Sequence, residues 1–214
     1  MLDPCAPFVV PTQSVPAQGE KLVREAYRRD FRQRDALIRN RDSWKFERRQ
    51  HFEEQGSPSR DAFRRGDWDE ALRLLNERRD DLLALTREDE RRGSFFHRVR
   101  VVETPLTPYI RWELHSLRLR AECGERIRVI GVEKVAASEK AAPLPEVVIL
   151  GGQTLYHVLY TTAGVPDGAV RYTDPGFIAG WEKYIKDLYE GGEDVISYFD
   201  RELAHLHSPR TKME

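Results

Sequence analysis

The chain has 214 residues, 33% of them charged and 40% hydrophobic, with a formal net charge of −1. That length suits one domain, or one domain with an added arm, and buries about two-thirds of its unfolded surface without help from a metal or disulfide. No window approaches the ~20 apolar residues of a membrane span, and the opening Met-Leu-Asp-Pro-Cys lacks the basic and apolar regions of a secretory leader. Cys5 and Cys123 are too few for a disulfide framework or a closed zinc site, so a reduced, soluble, cytoplasmic protein is expected.

Residues 1–18 hold Pro4, Pro7, Pro11 and Pro16 without helical periodicity, which predicts an extended arm pinned by Phe8, Val9 and Val10. From Gly19 to about Glu54 the pattern predicts one long charged helix, or two with a break. Its irregular apolar stripe runs through Leu22, Ala26, Phe31, Ala36, Ile38 and Trp44. Charges on the other faces mark a solvated arm or a partner-binding hairpin. Gln55-Gly56-Ser57-Pro58-Ser59 stops it. A second helix is predicted from Asp67 to about Arg92, with Trp68, Leu72, Leu75, Leu82 and Leu85 at helical spacings and Gly93 as its stop. Gly66-Asp67-Trp68 opens like a helical-repeat unit, but no second copy follows at a fixed period, so a solenoid is not expected.

Strand character begins at Phe95–Val102, an alternating run rich in β-branched and aromatic residues. Thr107 and Pro108 then read as cap and first residue of a helix ending at Gly124. Arg126–Val132 follows as a strand, 136–145 as a loop, and Glu146–Leu150 with Leu155–Tyr160 as a hairpin through Gly151-Gly152. Ala169–Tyr172 is a further short strand. Asp174-Pro175 opens a helix to Leu188, and a last helix covers Asp194 to about Leu206. The expected architecture is α+β: a Pro-rich arm (1–18), a charged helical region (19–92), and a domain over 93–214. In that last domain a small mixed or antiparallel sheet of about four or five strands carries packed helices.

Charge is unevenly placed. Lys21–Arg49 holds 11 basic and 5 acidic residues, whereas Gly131 to the end holds 8 basic and 13 acidic. Such asymmetry suits docking of one half on the other, or on a second copy as a homodimer. Arginine supplies 28 of the 35 basic residues, which fits either anion recognition or a GC-rich coding bias.

The candidate ligand-binding residues are Arg98, Arg100, Tyr109, Arg111 and Trp112. Residues 98 and 100 share one strand face, and the next helix starts a few residues later. Guanidinium groups beside free helix amides would hold an anion. The plainer alternative is a solvated sheet face with Glu113 paired to one of the arginines. Glu113 and Asp174 are the only acid/base candidates. No histidine pair has the i, i+4 spacing of a helical metal site, so no metal is expected. No nucleophile elbow, phosphate loop or dinucleotide-binding fingerprint occurs either, and no cofactor is expected. The aromatic spacing Phe177, Trp181, Tyr184 and Leu188 reads as core.

Phe96-His97-Arg98-Val99-Arg100-Val101-Val102-Glu103-Thr104-Pro105-Leu106-Thr107-Pro108-Tyr109-Ile110-Arg111-Trp112-Glu113-Leu114 and Cys123-Gly124-Glu125-Arg126-Ile127-Arg128-Val129-Ile130 resemble the core of a family of unknown function labelled DUF6879. That family continues with a strand bearing adjacent aspartates, where this chain reads Val148-Ile149-Leu150-Gly151-Gly152. The resemblance implies an actinobacterial, Streptomyces-like source and genes placed beside helix-turn-helix regulators. It implies no activity. The expected role is therefore a non-catalytic regulatory or interaction protein that binds a protein partner, such as such a regulator, or a small anionic ligand. The alternative is an enzyme of a natural-product or nucleotide pathway that uses Arg98, Arg100 and Arg111 to hold a carboxylate or phosphate. Nucleic-acid binding through residues 21–49 ranks last, because acids interrupt the basic run.

Overall fold

Trp44 and Phe46 alternate with Ser43, Lys45 and Glu47, and that period of two places the first third of the chain in the middle of a sheet. A computed structural model describes residues 19–205. The expected Pro-rich arm, Cys5, Leu206 and His207 lie outside the described residues. In chain order the elements are β1 (Glu20–Leu22), α1 (Arg24–Asp35), β2 (Ser43–Glu47), α2 (Pro58–Arg64), α3 (Trp68–Asn76), α4 (Arg79–Arg92), β3 (Phe96–Val102) and α5 (Pro108–Glu122). They continue with β4 (Arg126–Gly131), β5 (Glu146–Leu150), β6 (Thr154–Tyr160), β7 (Pro166–Tyr172), α6 (Pro175–Glu190), β8 (Glu193–Asp194) and α7 (Val195–Glu202).

The strands form one mixed sheet of eight, in the order β1-β7-β6-β5-β2-β3-β4-β8. Strands β2, β3 and β4 run parallel, joined by helical crossovers that parallel pairing requires. The remaining pairs are antiparallel, with β5, β6 and β7 as a meander. The fold is thus α+β as expected, but the sheet has eight strands where four or five were predicted. The added ones are β1, β2 and the short β8. The 19–54 region, expected to be helical, is a strand, a helix and a strand. The sheet consequently takes strands from both sides of residues 92 and 93.

The physical reason β2 hides in the sequence is that Lys45 and Glu47 look solvent-exposed. Glu47 is in fact 4% exposed, and the half-buried Lys45 sets its Nζ 2.5 Å from Glu47 Oε1. The expected 67–92 helix is also divided, because the chain turns at Glu77 and Arg78, where Arg78 N–H donates to the Leu75 carbonyl. The predicted caps do form. Thr107 accepts from Ile110 N–H and Asp174 from Phe177 N–H, each satisfying an orphan donor of the first helical turn.

One face of the sheet is mainly aliphatic and aromatic, with His97, Arg126, Arg128 and His157 sharing it by register. Trp44, Phe46, Val99, Val101, Val147, Ile149 and Leu155 pack there under Ile178, Trp181 and Ile185 of α6. The predicted 177/181/184/188 stripe is indeed core. The opposite face is covered in two places. Helix α5 lies over β3 and β4 with Ile110, Leu114 and Leu117 against Ile127 and Val129. Tyr27 and Phe31 of α1 lie against Tyr156 and Val158 of β6. Between α1 and α5 the sheet presents charge instead of hydrocarbon: Lys45 and Glu47 from β2, Arg98 and Arg100 from β3, and Glu146 from β5. No helix among the described residues is long and apolar enough to cross a membrane.

The anchoring of α1 depends on β1, whose register sets Leu22 opposite Ala169 on β7. Gly168 makes this possible: its φ is +110°, and a Cβ there would sit 2.2 Å from the Leu22 carbonyl oxygen. Gly168→Ala is expected to cost at least about 1–3 kcal/mol. Hydrogen exchange should show the loss as faster exchange in 20–35, with the β2–β5 core still protected.

Candidate functional site

Helix α1 turns Arg24, Arg28, Phe31 and Asp35 to one side, the i, i+4, i+7, i+11 stripe of a single helix face. Helix α4 turns Leu82, Leu85, Thr86, Asp89 and Arg92 toward it. The two stripes face each other across a half-enclosed cleft of about 530 Å³, within the usual span of small-ligand sites. The uncovered charged band of the sheet forms its floor, with Lys45 and Arg98 beside Val148 and Val158, and Phe95, Phe96 and Tyr160 complete an aromatic lining.

The floor is held by an alternating chain of charges. Arg98 donates to Glu47 Oε2 at 2.8 Å and to Glu125 Oε1 at 2.7–2.8 Å, and Arg120 donates to Glu125 Oε2 at 3.1 Å. Burial alone would raise the Glu47 carboxyl, but Arg98, Lys45 and Arg100 outweigh it and hold the group well below the ordinary carboxylate range. The other acids of the lining are also engaged: Asp35 and Asp89 both face the Arg92 guanidinium. Arg24 and Arg28 differ. Arg24 donates one N–H to the Gln55 amide oxygen, and among the described residues its buried Nε has no partner and neither arginine meets a carboxylate. Two guanidinium groups therefore border a largely apolar hollow with no counter-charge among the described residues.

The predicted anion pocket is not gathered as expected. Arg98 and Arg100 share a sheet face, as the alternation requires, yet only Arg98 reaches the cleft. Arg100 is fully buried, donates to Glu113 Oε2 at 2.7 and 2.8 Å, and gives its remaining donors to the carbonyls of Val101 and Glu47. The plainer alternative, Glu113 paired with one of the arginines, is the arrangement found. Tyr109 places its hydroxyl 3.1 Å from Glu54 Oε1 and 3.3 Å from Glu113 Oε1. Trp112 donates from Nε1 to Ser59 Oγ and stacks on Phe63. Arg111 is half-buried and sets its charge beside His115. Asp174 caps α6 at an exposed position. Arg98 and Arg100 thus share Glu47 but part beyond it, Arg98 toward Glu125 at the cleft and Arg100 toward Glu113 in the core.

A family model described as a domain of unknown function, DUF6879, matches residues 31–200 of the chain. The chain belongs to the DUF6879 family. No curated protein matches it. Within this DUF6879 member the matched stretch takes in β2 through most of α7 but begins inside α1, so Arg24 and Arg28 precede it. Among the described residues no group of three or more His, Cys, Asp or Glu side chains is placed to hold a metal ion.

The residues that sequence reasoning missed are Lys45, Glu47, Glu125 and the facing stripes of α1 and α4. Each stripe is visible as a helical period, but their apposition is not, because it joins segments some 50 residues apart. Beyond the cleft, the charged band continues under the 48–54 segment as Arg100, Glu113 and Glu146. Glu146 Oε1 accepts from the backbone N–H groups of Arg48 and Arg49 at 2.9 and 2.6 Å, while Oε2 is buried without a partner.

Two outcomes follow for this interior. Glu113→Ala leaves Arg100 charged and unpaired in the core and is expected to cost about 3–5 kcal/mol, whereas replacing both Arg100 and Glu113 by leucine costs markedly less. Chemical denaturation of the single and double variants checks this. Burial and the neighbouring Glu47 push the Glu146 carboxyl up to about 7, against the pull of Arg100 and its two backbone donors. The native chain therefore holds a proton on Glu146 that the unfolded chain releases nearer 4.5, so this group's contribution falls as pH rises from about 4.5 to 7. Glu146→Gln should remove that decline, and melting temperature against pH would show it as a gain over wild type that grows up to about pH 7 and then levels.

Proposed function

We propose that this DUF6879 protein is a non-catalytic binding module of the bacterial cytoplasm, whose cleft takes a ligand with an apolar body and an anionic group. The observation that carries this is the pair Arg24 and Arg28: two guanidinium groups without carboxylate partners among the described residues, four residues apart on one helix face, bordering a largely apolar hollow whose lining carboxylates are already paired. An anion there would gain charge-assisted hydrogen bonds without having to displace a resident acid. Arg98 at the floor is neutralised by Glu47 and Glu125, so it shapes the site and adds no free charge.

An enzymatic role with Glu113 or Asp174 as acid or base draws less support. Glu113 is locked to Arg100 and buried, and Asp174 is committed to the N-terminus of α6. A protein partner, including a helix-turn-helix regulator of the kind the family setting implies, fits a binding module equally in kind.

Anilinonaphthalene sulfonate, an apolar sulfonate whose fluorescence rises on leaving water, is the direct probe. Wild type should show saturable enhancement at one site. Arg24→Glu and Arg28→Glu should each weaken binding by about tenfold or more, the equivalent of one lost hydrogen bond to a charged group. Enhancement that does not saturate, or that ignores both charge reversals, would overturn the proposal.

A further inference from the structure

We infer that the natural occupant of the cleft is an acidic amphipathic helix presented by a partner protein, a conclusion that rests on the binding role proposed above and names its ligand. Three large apolar side chains stand exposed among the described residues: Val23 at 69%, Leu37 at 79% and Leu85 at 59%. Scattered singly over a surface, such residues mean nothing. Leu85 differs, because it stands on the α4 wall of the cleft, across from α1. The α1 wall is a helix of 12 residues and therefore about 18 Å long. A helix of about three turns laid along that wall would match its length and cover Leu85.

Charge selects the sign of that helix. Arg28, Arg29 and Arg32 are exposed on α1, and none forms an ion pair within the described residues. Of the acids on α1, Asp30 is held by Arg34, Tyr156 and Arg171, and Asp35 by Arg92, which leaves Glu25 alone exposed. Across the groove, Asp89 and Glu88 are matched by Arg92 and Arg91 of their own helix. The surplus is positive and lies on the α1 side. The fitting partner carries leucine-like side chains at i, i+3 or i+4, and i+7, pressed between Phe31 and Leu85. Its aspartates or glutamates lie on the flank beside Arg28 and Arg32, a helix-in-groove mode of recognition. Rim charges of this kind steer encounter and set salt dependence, while the buried apolar anchors set residence time.

Selection of a random peptide display library on the full-length protein tests the inference without knowledge of the partner. The enriched sequences are expected to be acidic, with apolar residues at helical spacing. A labelled peptide made from them should lose at least about tenfold in affinity against Leu85→Asp and against Arg28→Glu/Arg32→Glu. Replacing its acids by lysine should restore binding to the Arg28→Glu/Arg32→Glu variant. Enrichment without acidic bias, no enrichment at all, or binding indifferent to these surface variants would each overturn the inference. If the sulfonate probe still binds saturably in those cases, the binding role stands and only the helical partner falls. If the probe fails as well, both fall.

Discussion

One carboxylate holds the charged face of this sheet together. Glu47 projects from the central strand with almost no exposure, and three cations converge on it: Lys45 from its own strand, Arg98 and Arg100 from the parallel neighbour. Removing any of these would leave a charge in a medium that solvates it poorly, which is why such groups occur as a connected set. Arg98 extends the set to Glu125 and Arg120 at the cleft floor, and Arg100 extends it to Glu113 in the core. Everything built on this face, from the seat of α5 to the gap beside α1, accommodates that band.

The gap is a consequence of the band. Helices pack on a sheet by burying hydrocarbon against hydrocarbon, and α1 and α5 each find it, on β6 and on β3 and β4 respectively. Neither can close over Lys45 and Arg98 without stranding charge. The space left between them, walled by α1 and α4, is the cleft. The mainly apolar opposite face shows the contrast: there α6 lies flat across the middle of the sheet, with Trp181 and Ile185 fully enclosed.

Much of the second half of the chain was legible from residue order. The Thr107-Pro108 and Asp174-Pro175 caps, the Phe96–Val102 strand, the hairpin through Gly151-Gly152 and the Trp181 stripe all rest on local chemistry, where a side chain satisfies its own helix or alternates across its own strand. The first third was misjudged for a single reason. Lys45 and Glu47 have the polarity of surface residues and pair with each other, but the arginines that let Glu47 be buried, Arg98 and Arg100, lie more than 50 residues further along. The Arg98, Arg100 and Arg111 grouping went astray on the same ground, since proximity in sequence does not say which carboxylate each guanidinium meets.

By itself the sequence determined the α+β character, the helix boundaries set by caps and glycines, the aromatic core under α6, and the family to which the chain belongs. Those depend on interactions within a few residues, or on a pattern of residue types. Tertiary structure alone decided that β2 lies at the centre of an eight-stranded sheet, that its Glu47 is buried among cations, and that α1 and α4 stand opposite each other. The cost of a buried charge depends on what surrounds it in space, and no local pattern carries that information.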